Sequence, residues 1–199
     1  MTRLLVLRHG RTGWNAEQRC QGQMDIDLDE TGAEQSVVAA ARIAVEQPDL
    51  IISSDLARAT STARPLAELT GLPVKLDPRL RERNFGPWQG LTPTEIQERY
   101  PDDYPRLGTP WPIMVEEIES ESALAHRVAA ALRAAADLVG DGTAVVVTHG
   151  GAAQLGCALL LGWPPETWHT LAVLDNCRYT DVRLHPIRGW QLHGHNGTN

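Results

Sequence analysis

A chain of 199 residues, of which 42% are hydrophobic, is long enough for one domain with a sizeable core. Its formal net charge of −7 argues against nucleic acid as a partner, because binding a phosphate backbone requires a basic face. No stretch is apolar enough to span a membrane or to act as a secretion signal, so we expect a cytoplasmic protein without a membrane partner.

Metal binding is not predicted. The three cysteines, Cys20, Cys157 and Cys177, are odd in number and widely spaced, which indicates neither a disulfide framework nor a zinc site. His193 and His195 lie on one side of an extended segment, but no carboxylate or cysteine is nearby in the sequence. We therefore expect a solvated tail there.

The first predicted element is a buried strand at residues 4–7, a run of apolar residues. It ends at Arg8, His9 and Gly10, and the glycine allows a sharp turn. Ligands of open α/β sheets bind at the carboxyl ends of the strands. Arg8 and His9 are therefore candidates for the functional site.

A helix is predicted next, from about Thr31 to Glu46. Thr31 and Glu34 fit a capping box, in which the threonine begins the helix and the glutamate reaches back to it. Apolar residues follow at helical spacing, so one face of this helix should pack on the sheet.

A second buried strand at residues 49–54 leads into a second helix, which is predicted to open at Asp55. Arg58 falls in its first turn, near the end of the strand. There a guanidinium group and a helix N-terminus can bind the same anion. We expect Pro65 to interrupt this helix and Gly71 to end it.

A short strand at residues 74–76 precedes a loop that contains Glu82. The loop is rich in aromatic residues and glycine, and a glutamate shielded there from water is suited to donate a proton near neutral pH. The alternative is that Glu82 only pairs with Arg81 or Arg83.

Residues 92–121 contain five prolines, two tyrosines and a tryptophan and include a short helix, Thr92–Tyr100. This composition is too irregular for sheet core and too aromatic for a disordered linker. We expect a cap that folds over the end of the sheet where Arg8 and His9 lie.

A long helix from Ser122 to about Val139 leads to a third buried strand at residues 143–148. This strand ends in His149 and Gly150, so two strands of the chain end in His-Gly, and a helix should begin near Ala152. The two imidazoles should meet at one edge of the sheet. Three short strands, at residues 171–174, 179–184 and 190–193, should complete the sheet, one of them antiparallel at its edge.

Four segments in this order resemble the motifs of the histidine phosphatase (phosphoglycerate mutase-like) superfamily. They are Arg8-His9-Gly10 with Thr12 and Asn15, the residues around Arg58, the loop around Glu82, and His149-Gly150-Gly151. The resemblance covers the whole chain. It implies one α/β domain at residues 1–199, a three-layer α/β/α sandwich with a mostly parallel sheet, helices on both faces and a small cap segment, 92–121.

The resemblance also implies a phosphoryl-transfer reaction that needs neither a metal nor a cofactor. His9 would attack the phosphorus atom, and Glu82 would protonate the leaving oxygen and then activate water. The other residues implied to act at the phosphoryl group are Arg8, Asn15, Gln21, Gly22, Arg58, His149 and Gly150.

The favoured activity is a phosphomonoesterase that hydrolyses small phosphorylated metabolites, because dedicated mutases of the family are usually longer. A cofactor-dependent phosphoglycerate mutase is the first alternative, and a non-catalytic phosphate-binding protein is the second. The sequence leaves open whether the protein forms a homodimer.

The acidic run before the long helix departs from the family pattern, because relatives usually carry two glycines where this chain has Glu117 and Ile118. One hypothesis is that the run disfavours substrates with extra negative charge. The alternative is that these are solvated charges favoured near a helix N-terminus. The run consists of Glu116, Glu117, Glu119 and Glu121.

Overall fold

The computed structural model describes residues 1–107 and 113–197. In these ranges one sheet has six strands: β1 (Arg3–Arg8), β2 (Leu50–Ser53), β3 (Val74–Leu76), β4 (Thr143–Thr148), β5 (Tyr179–His185) and β6 (Gly189–Gly197). Their order is β3-β2-β4-β1-β5-β6. Strands β1 to β4 run parallel, β5 runs antiparallel to β1, and β6 pairs antiparallel with β5, so β5 is the one strand of the six that opposes the others. The predicted mostly parallel sheet is confirmed.

The helices of the described ranges are α1 (Gly13–Ala16), α2 (Glu30–Ala44), α3 (Ala57–Thr70), α4 (Pro93–Arg99), α5 (Glu121–Val139) and α6 (Gly150–Leu160). Short 3₁₀ turns occur at Pro78–Leu80, Gly86–Trp88, Tyr104–Arg106 and Pro165–Thr170. None of these helices is long and apolar enough to cross a bilayer.

The two faces of the sheet are covered by different helices. Leu5 and Leu7 of β1 pack in one core with residues of α2 and α3. Leu4 and Val6 point to the opposite face and pack with residues of α5 and α6. This alternation follows from the two-residue period of a strand, and it explains why residues 4–7 of β1 are all apolar. The predicted three-layer sandwich is therefore confirmed.

The register between β1 and β4 fixes the position of the functional site. Arg3 is paired with Thr143 and Arg8 with Thr148, so the two strands end at the same level. The amide of His9 then donates to the Thr148 carbonyl oxygen at 2.9 Å. His9 and His149 consequently follow neighbouring strands side by side.

The start of α2 differs from the prediction. Asp29 is the N-cap residue, and its side chain accepts a hydrogen bond from the Gly32 amide. The Thr31 hydroxyl accepts from Arg11 Nη2 at 2.8 Å and does not cap the helix. The predicted capping box of Thr31 and Glu34 was wrong. Asp29 is also a strong capping residue, and the Thr31 hydroxyl is bound to Arg11 instead of to the start of the helix.

Helix α3 also departs from expectation. It begins at Ala57 and continues through Pro65 to Thr70, so the predicted interruption was wrong. Ala59, Ala63 and Leu66 are buried in the core, and this packing outweighs the loss of one backbone hydrogen bond at the proline. Gly71 ends the helix with φ +72°, as predicted.

The remaining predictions concern the last strands and the cap. Residues 171–174 do not form the predicted strand. One antiparallel strand was expected at the edge of the sheet; β5 is that strand, but it lies between β1 and β6, and β6 forms the edge. Thr92 caps α4 through a capping box, and Ile96 of this helix packs on Trp88 and Ile118. Part of the predicted cap, residues 108–112, lies outside the described residues.

Candidate active site

A cavity of about 340 Å³ opens at the carboxyl ends of β1 and β4. Its polar and glycine lining residues include Arg8, His9, Asn15, Gln21, Gly22, Arg58, Glu82, Gly150 and Gly151. Its apolar and aromatic lining residues include Trp14, Phe85, Trp88, Ile96, Tyr104, Leu107 and Val173, of which Phe85, Trp88, Ile96 and Tyr104 belong to one hydrophobic cluster. The structure thus brings together nearly all of the residues that the sequence singled out.

His9 presents one nitrogen to this cavity. Its Nδ1 lies 2.7 Å from the Gly10 carbonyl oxygen, which can only accept, so Nδ1 carries the proton and Nε2 retains a lone pair. Burial lowers the pKa of His9 well below its usual value, and the charges of Arg58 and Arg8 lower it further. The imidazole is therefore neutral at pH 7 and has a free nucleophilic nitrogen.

Arg8 supplies positive charge that few neighbours compensate. Its Nη1 donates to the Leu174 carbonyl oxygen, and its buried Nε has no partner within the described part of the chain. Burial lowers the pKa of Arg8, although the Glu82 carboxylate opposes this effect. An anion in the cavity would compensate this charge.

Arg58 is fully buried at the start of α3, as its place in the first helical turn predicted. Its Nη2 donates to the Gly22 carbonyl oxygen at 2.7 Å, and its Nη1 donates to that of Met24 at 2.8 Å. Desolvation lowers the pKa of Arg58 to about 10. Gly22 thus contributes to the site partly by holding Arg58, in a backbone conformation (φ +53°) that favours glycine.

His149 lies behind Arg58. Its Nδ1 accepts from Arg58 Nε at 3.1 Å, so its protonated Nε2 donates to Ser54 Oγ at 2.9 Å. Its ring centroid is 5.2 Å from that of His9, but the fully buried ring does not line the cavity. Burial and nearby Arg58 lower its pKa well below the usual value.

Both ring nitrogens of His149 are therefore engaged within the protein, and a contact of this residue with the phosphoryl group stays a prediction. Ser54, which accepts one of these hydrogen bonds, was not singled out from the sequence; its position directly after the buried strand β2 was the available signal.

Glu82 reaches the N-terminus of α6. Its Oε2 accepts from the Gly151 amide at 2.9 Å, and its Oε1 accepts from the amides of Ala152 at 3.0 Å and Arg83 at 2.8 Å. The alternative of a simple ion pair was wrong, because the Arg81 guanidinium binds Asp55 and that of Arg83 binds elsewhere.

Two further polar groups face the cavity. Asn15 Oδ1 accepts from the Thr12 amide and hydroxyl, each at 3.1 Å, which leaves the Asn15 amide nitrogen available. Gly150 is the first residue of α6, where an amide has no acceptor within the helix. Asn176, which sequence reasoning also missed, donates to the His9 carbonyl oxygen at 2.9 Å.

Gln21 lines the cavity as expected, and its buried Oε1 has no partner in the described ranges.

The described residues contain no group of three His, Cys, Asp or Glu side chains close enough together to hold a metal ion. His195 is bound to Thr180 Oγ1 at 3.0 Å and to the Ala172 carbonyl oxygen at 3.0 Å, so the predicted solvated tail was wrong at this residue.

The acidic run does not reach the cavity. Glu119 pairs with Arg127, and Glu121 pairs with Arg83 and His169. The other two members, Glu116 and Glu117, are exposed. None of the four lines the described cavity, and the hypothesis that they disfavour substrates with extra negative charge stays a prediction.

Comparison with known proteins places these motifs in a family. The model of the histidine phosphatase superfamily (branch 1) matches residues 4–198. A glucosyl-3-phosphoglycerate phosphatase of Mycolicibacterium vanbaalenii is 37% identical over 190 residues, which cover 92% of this chain and 84% of the relative. A probable phosphoglycerate mutase of Yersinia enterocolitica is 39% identical over 189 residues, with 92% and 85% coverage.

Solved structures agree with this comparison. A mycobacterial glucosyl-3-phosphoglycerate phosphatase in complex with VO3 superimposes with a TM-score of 0.92 at 37% identity, and the match covers 100% of both chains. A phosphoserine phosphatase of Entamoeba histolytica in complex with 3-phosphoglyceric acid has a TM-score of 0.86 at 29% identity.

Proposed function

The chain belongs to the histidine phosphatase superfamily and is a phosphatase, and on this premise we propose that it hydrolyses phosphate monoesters through a phosphohistidine formed on His9. The observation that carries the proposal is the neutral imidazole, whose free Nε2 faces a cavity lined by the half-buried Arg8 and the buried Arg58. Arg8 and Arg58 supply the positive charge that a metal ion supplies in other phosphatases, so the reaction requires no metal.

The proposed reaction has two steps. In the first, His9 Nε2 forms a bond to phosphorus as the bond to the leaving oxygen breaks, and Glu82 gives its proton to that oxygen. In the second, water attacks phosphorus and gives a proton to Glu82, and the bond to His9 Nε2 breaks. The products are an alcohol and inorganic phosphate, and both residues return to their initial states.

The phosphoryl oxygens would be held by Arg8, Arg58, the Asn15 amide group and the Gly150 amide. Glu82 acts as the acid in the first step and as the base in the second, and three backbone amides hold its carboxyl oxygens in place for both.

The substrate we propose is a phosphate ester whose leaving group carries a sugar, as in glucosyl-3-phosphoglycerate. Two observations support it. Relatives with that activity are 37% and 38% identical to this chain. The aromatic and apolar cluster of Phe85, Trp88, Ile96 and Tyr104 also lines the cavity and offers flat surfaces for a bulky leaving group. A mutase activity is the second candidate, favoured by the 39% identity to a probable phosphoglycerate mutase.

We also propose a cytoplasmic location. The three cysteines, one buried and two half-buried, are all free thiols, as is usual in a reducing compartment.

The covalent intermediate can be tested by rapid acid-free quenching after mixing with a radiolabelled phosphate ester. We expect label on the protein that is stable in base and released by acid, and inorganic phosphate as the final product. His9→Ala should carry no label, whereas His126→Ala, which changes an exposed histidine of α5, should behave as the wild type. Acid-stable label, or full phosphate release by His9→Ala, would contradict the proposal.

The substrate and the metal requirement can be tested in the same assay. We expect phosphate release from glucosyl-3-phosphoglycerate with a higher kcat/KM than from 3-phosphoglycerate, and unchanged rates after EDTA treatment. Activity that disappears with EDTA and returns with magnesium or zinc would overturn metal independence. Rapid interconversion of 3- and 2-phosphoglycerate, faster than phosphate release, would favour the mutase.

A further inference from the structure

Arg127 of α5 lies outside the cavity but is bound to the loop that carries Glu82. Its Nε and Nη2 form a two-pronged contact with the Glu119 carboxylate at 2.6 and 2.8 Å. Its Nη1 donates to the carbonyl oxygens of Arg79 at 2.8 Å and Arg81 at 2.6 Å. Nη2 also donates to the Glu82 carbonyl oxygen at 2.8 Å. The five N–H groups of a guanidinium are thus all used.

Glu119 extends this contact to the other side of Glu82. Its Oε2 accepts from the Asn84 amide at 3.1 Å, and its own amide donates to the Asn84 carbonyl oxygen at 2.8 Å. Its carbonyl oxygen accepts from Arg83 Nε at 2.6 Å. The residues before and after Glu82 are therefore fixed to one pair of charged side chains.

We propose that Arg127 and Glu119 are positioning residues for Glu82, which hold the loop so that the carboxyl group reaches the leaving oxygen. This inference rests on the proposed function, in which Glu82 is the general acid. A general acid must lie within hydrogen-bond reach of its oxygen, and a misplacement of about 1 Å can cost about 10²-fold in rate. Loops rarely hold side chains to that tolerance without such support.

The fork of the guanidinium is essential to this role. A lysine at position 127 would keep the positive charge, but its compact ammonium group cannot satisfy one carboxylate and three carbonyl oxygens in fixed directions. Arg127→Lys therefore separates positioning from a long-range effect of charge. We expect it to be impaired like Arg127→Met.

The test measures the rate of phosphoenzyme formation in single turnovers with two substrates. An alkyl phosphate needs a proton on its leaving oxygen, whereas p-nitrophenyl phosphate leaves as a stabilised phenolate. Arg127→Met and Arg127→Lys should slow the alkyl phosphate by roughly 10- to 100-fold and p-nitrophenyl phosphate by much less. Equal losses for the two substrates, or a normal rate in Arg127→Lys, would overturn the proposal.

Arg3→Met is the matched control. Arg3 also forms a two-pronged contact with a carboxylate, that of Asp181, and its side chain is 17% exposed, against 21% for Arg127. It lies at the opposite end of β1 from the cavity. We expect a similar loss of thermal stability and normal rates with both substrates. A substrate-dependent loss in Arg3→Met as large as that in Arg127→Met would overturn the proposal.

A double-mutant cycle with Glu82→Gln completes the test. If Arg127 acts through Glu82, then Arg127→Met should change the alkyl phosphate rate by less than about twofold in the Glu82→Gln background. A full additional loss there would overturn the inference. If Arg127→Met does not fold, Glu119→Gln is measured in its place with the same expectations. A wild-type protein that forms no phosphohistidine would instead refute the proposed function itself.

Discussion

Replacement of Arg8 by methionine should remove most of the stabilisation that inorganic phosphate gives the protein. The guanidinium has one unpartnered, buried Nε in the described structure, and burial lowers its pKa, so its charge is only partly compensated without a ligand. A bound phosphate would offer that group an anionic acceptor. Methionine has a similar length and fills the space without the charge.

The expected magnitude follows from the coupling of binding and folding. Phosphate at about 100 times its Kd stabilises the folded protein by about 2.7 kcal/mol. For a chain of this size that corresponds to a rise in Tm of roughly 5 to 11 °C. Loss of the charged hydrogen bonds of Arg8 costs about 1.5 to 3 kcal/mol of binding, or roughly 10- to 150-fold in Kd. At the same phosphate concentration the variant then retains less than about half of the wild-type shift.

Thermal denaturation with and without phosphate measures this difference. Arg3→Met serves again as the control, because Arg3 and Arg8 are the two ends of the same strand and only Arg8 lines the cavity. It should keep the full shift even if its Tm without phosphate is lower. A wild-type shift in Arg8→Met would refute the reasoning, because phosphate would then be bound without the arginine.

Three other predictions concern Glu82, His9 and the packing of α5 on α6. Glu82→Gln should slow phosphoenzyme formation from an alkyl phosphate by about 10² to 10⁴-fold in rapid-quench experiments, and should slow the same step with p-nitrophenyl phosphate far less. Equal losses for the two substrates would exclude Glu82 as the general acid. Burial lowers the pKa of His9, and its neutral form reacts, so the rate of phosphoenzyme formation should stay constant as the pH falls below 6.5 and should decline only at the lower pKa of His9. A decline of that rate with its midpoint at or above pH 6.5 would contradict this prediction. Gly156→Ala would put a methyl group 2.3 Å from Val128 Cγ1, where α5 and α6 pack, and should lower the free energy of unfolding, measured in urea, by about 1 to 3 kcal/mol. In the double variant, Val128→Ala should relieve that loss, and additive losses of the two substitutions would refute the clash.

The location of the site could be predicted because it depends on local sequence. Apolar runs that end abruptly at a polar residue marked the carboxyl ends of β1 and β4, and parallel pairing brings such ends together. His9 and His149 therefore lie side by side, as predicted. Arg58 could be found for the same reason, since the short connection after β2 leaves the first turn of α3 little freedom.

The contacts that decide chemical roles could not be predicted in this way, because they join residues far apart in the sequence. His149 and Arg58 are separated by 91 positions, and their hydrogen bond occupies one nitrogen of the imidazole. Glu119 looked like one of several surface acids, since nothing local to it reveals the loop that it contacts. The contact of the Thr31 hydroxyl with Arg11 is likewise absent from any local pattern, so the sequence around Thr31 suggested a helix cap.

The partners of the two arginines explain how an acidic chain can bind a dianion. The net charge is −7, yet Arg58 is held by two backbone carbonyl oxygens and a neutral imidazole, and Arg8 is held by one carbonyl oxygen. These partners are dipoles, so they orient the guanidinium groups without cancelling their charge. Glu82 is the acidic residue among those lining the described cavity, and backbone amides at the start of α6 hold its carboxylate. Positive charge therefore remains where Arg8 and Arg58 line the cavity, and a bound phosphoryl group would neutralise it.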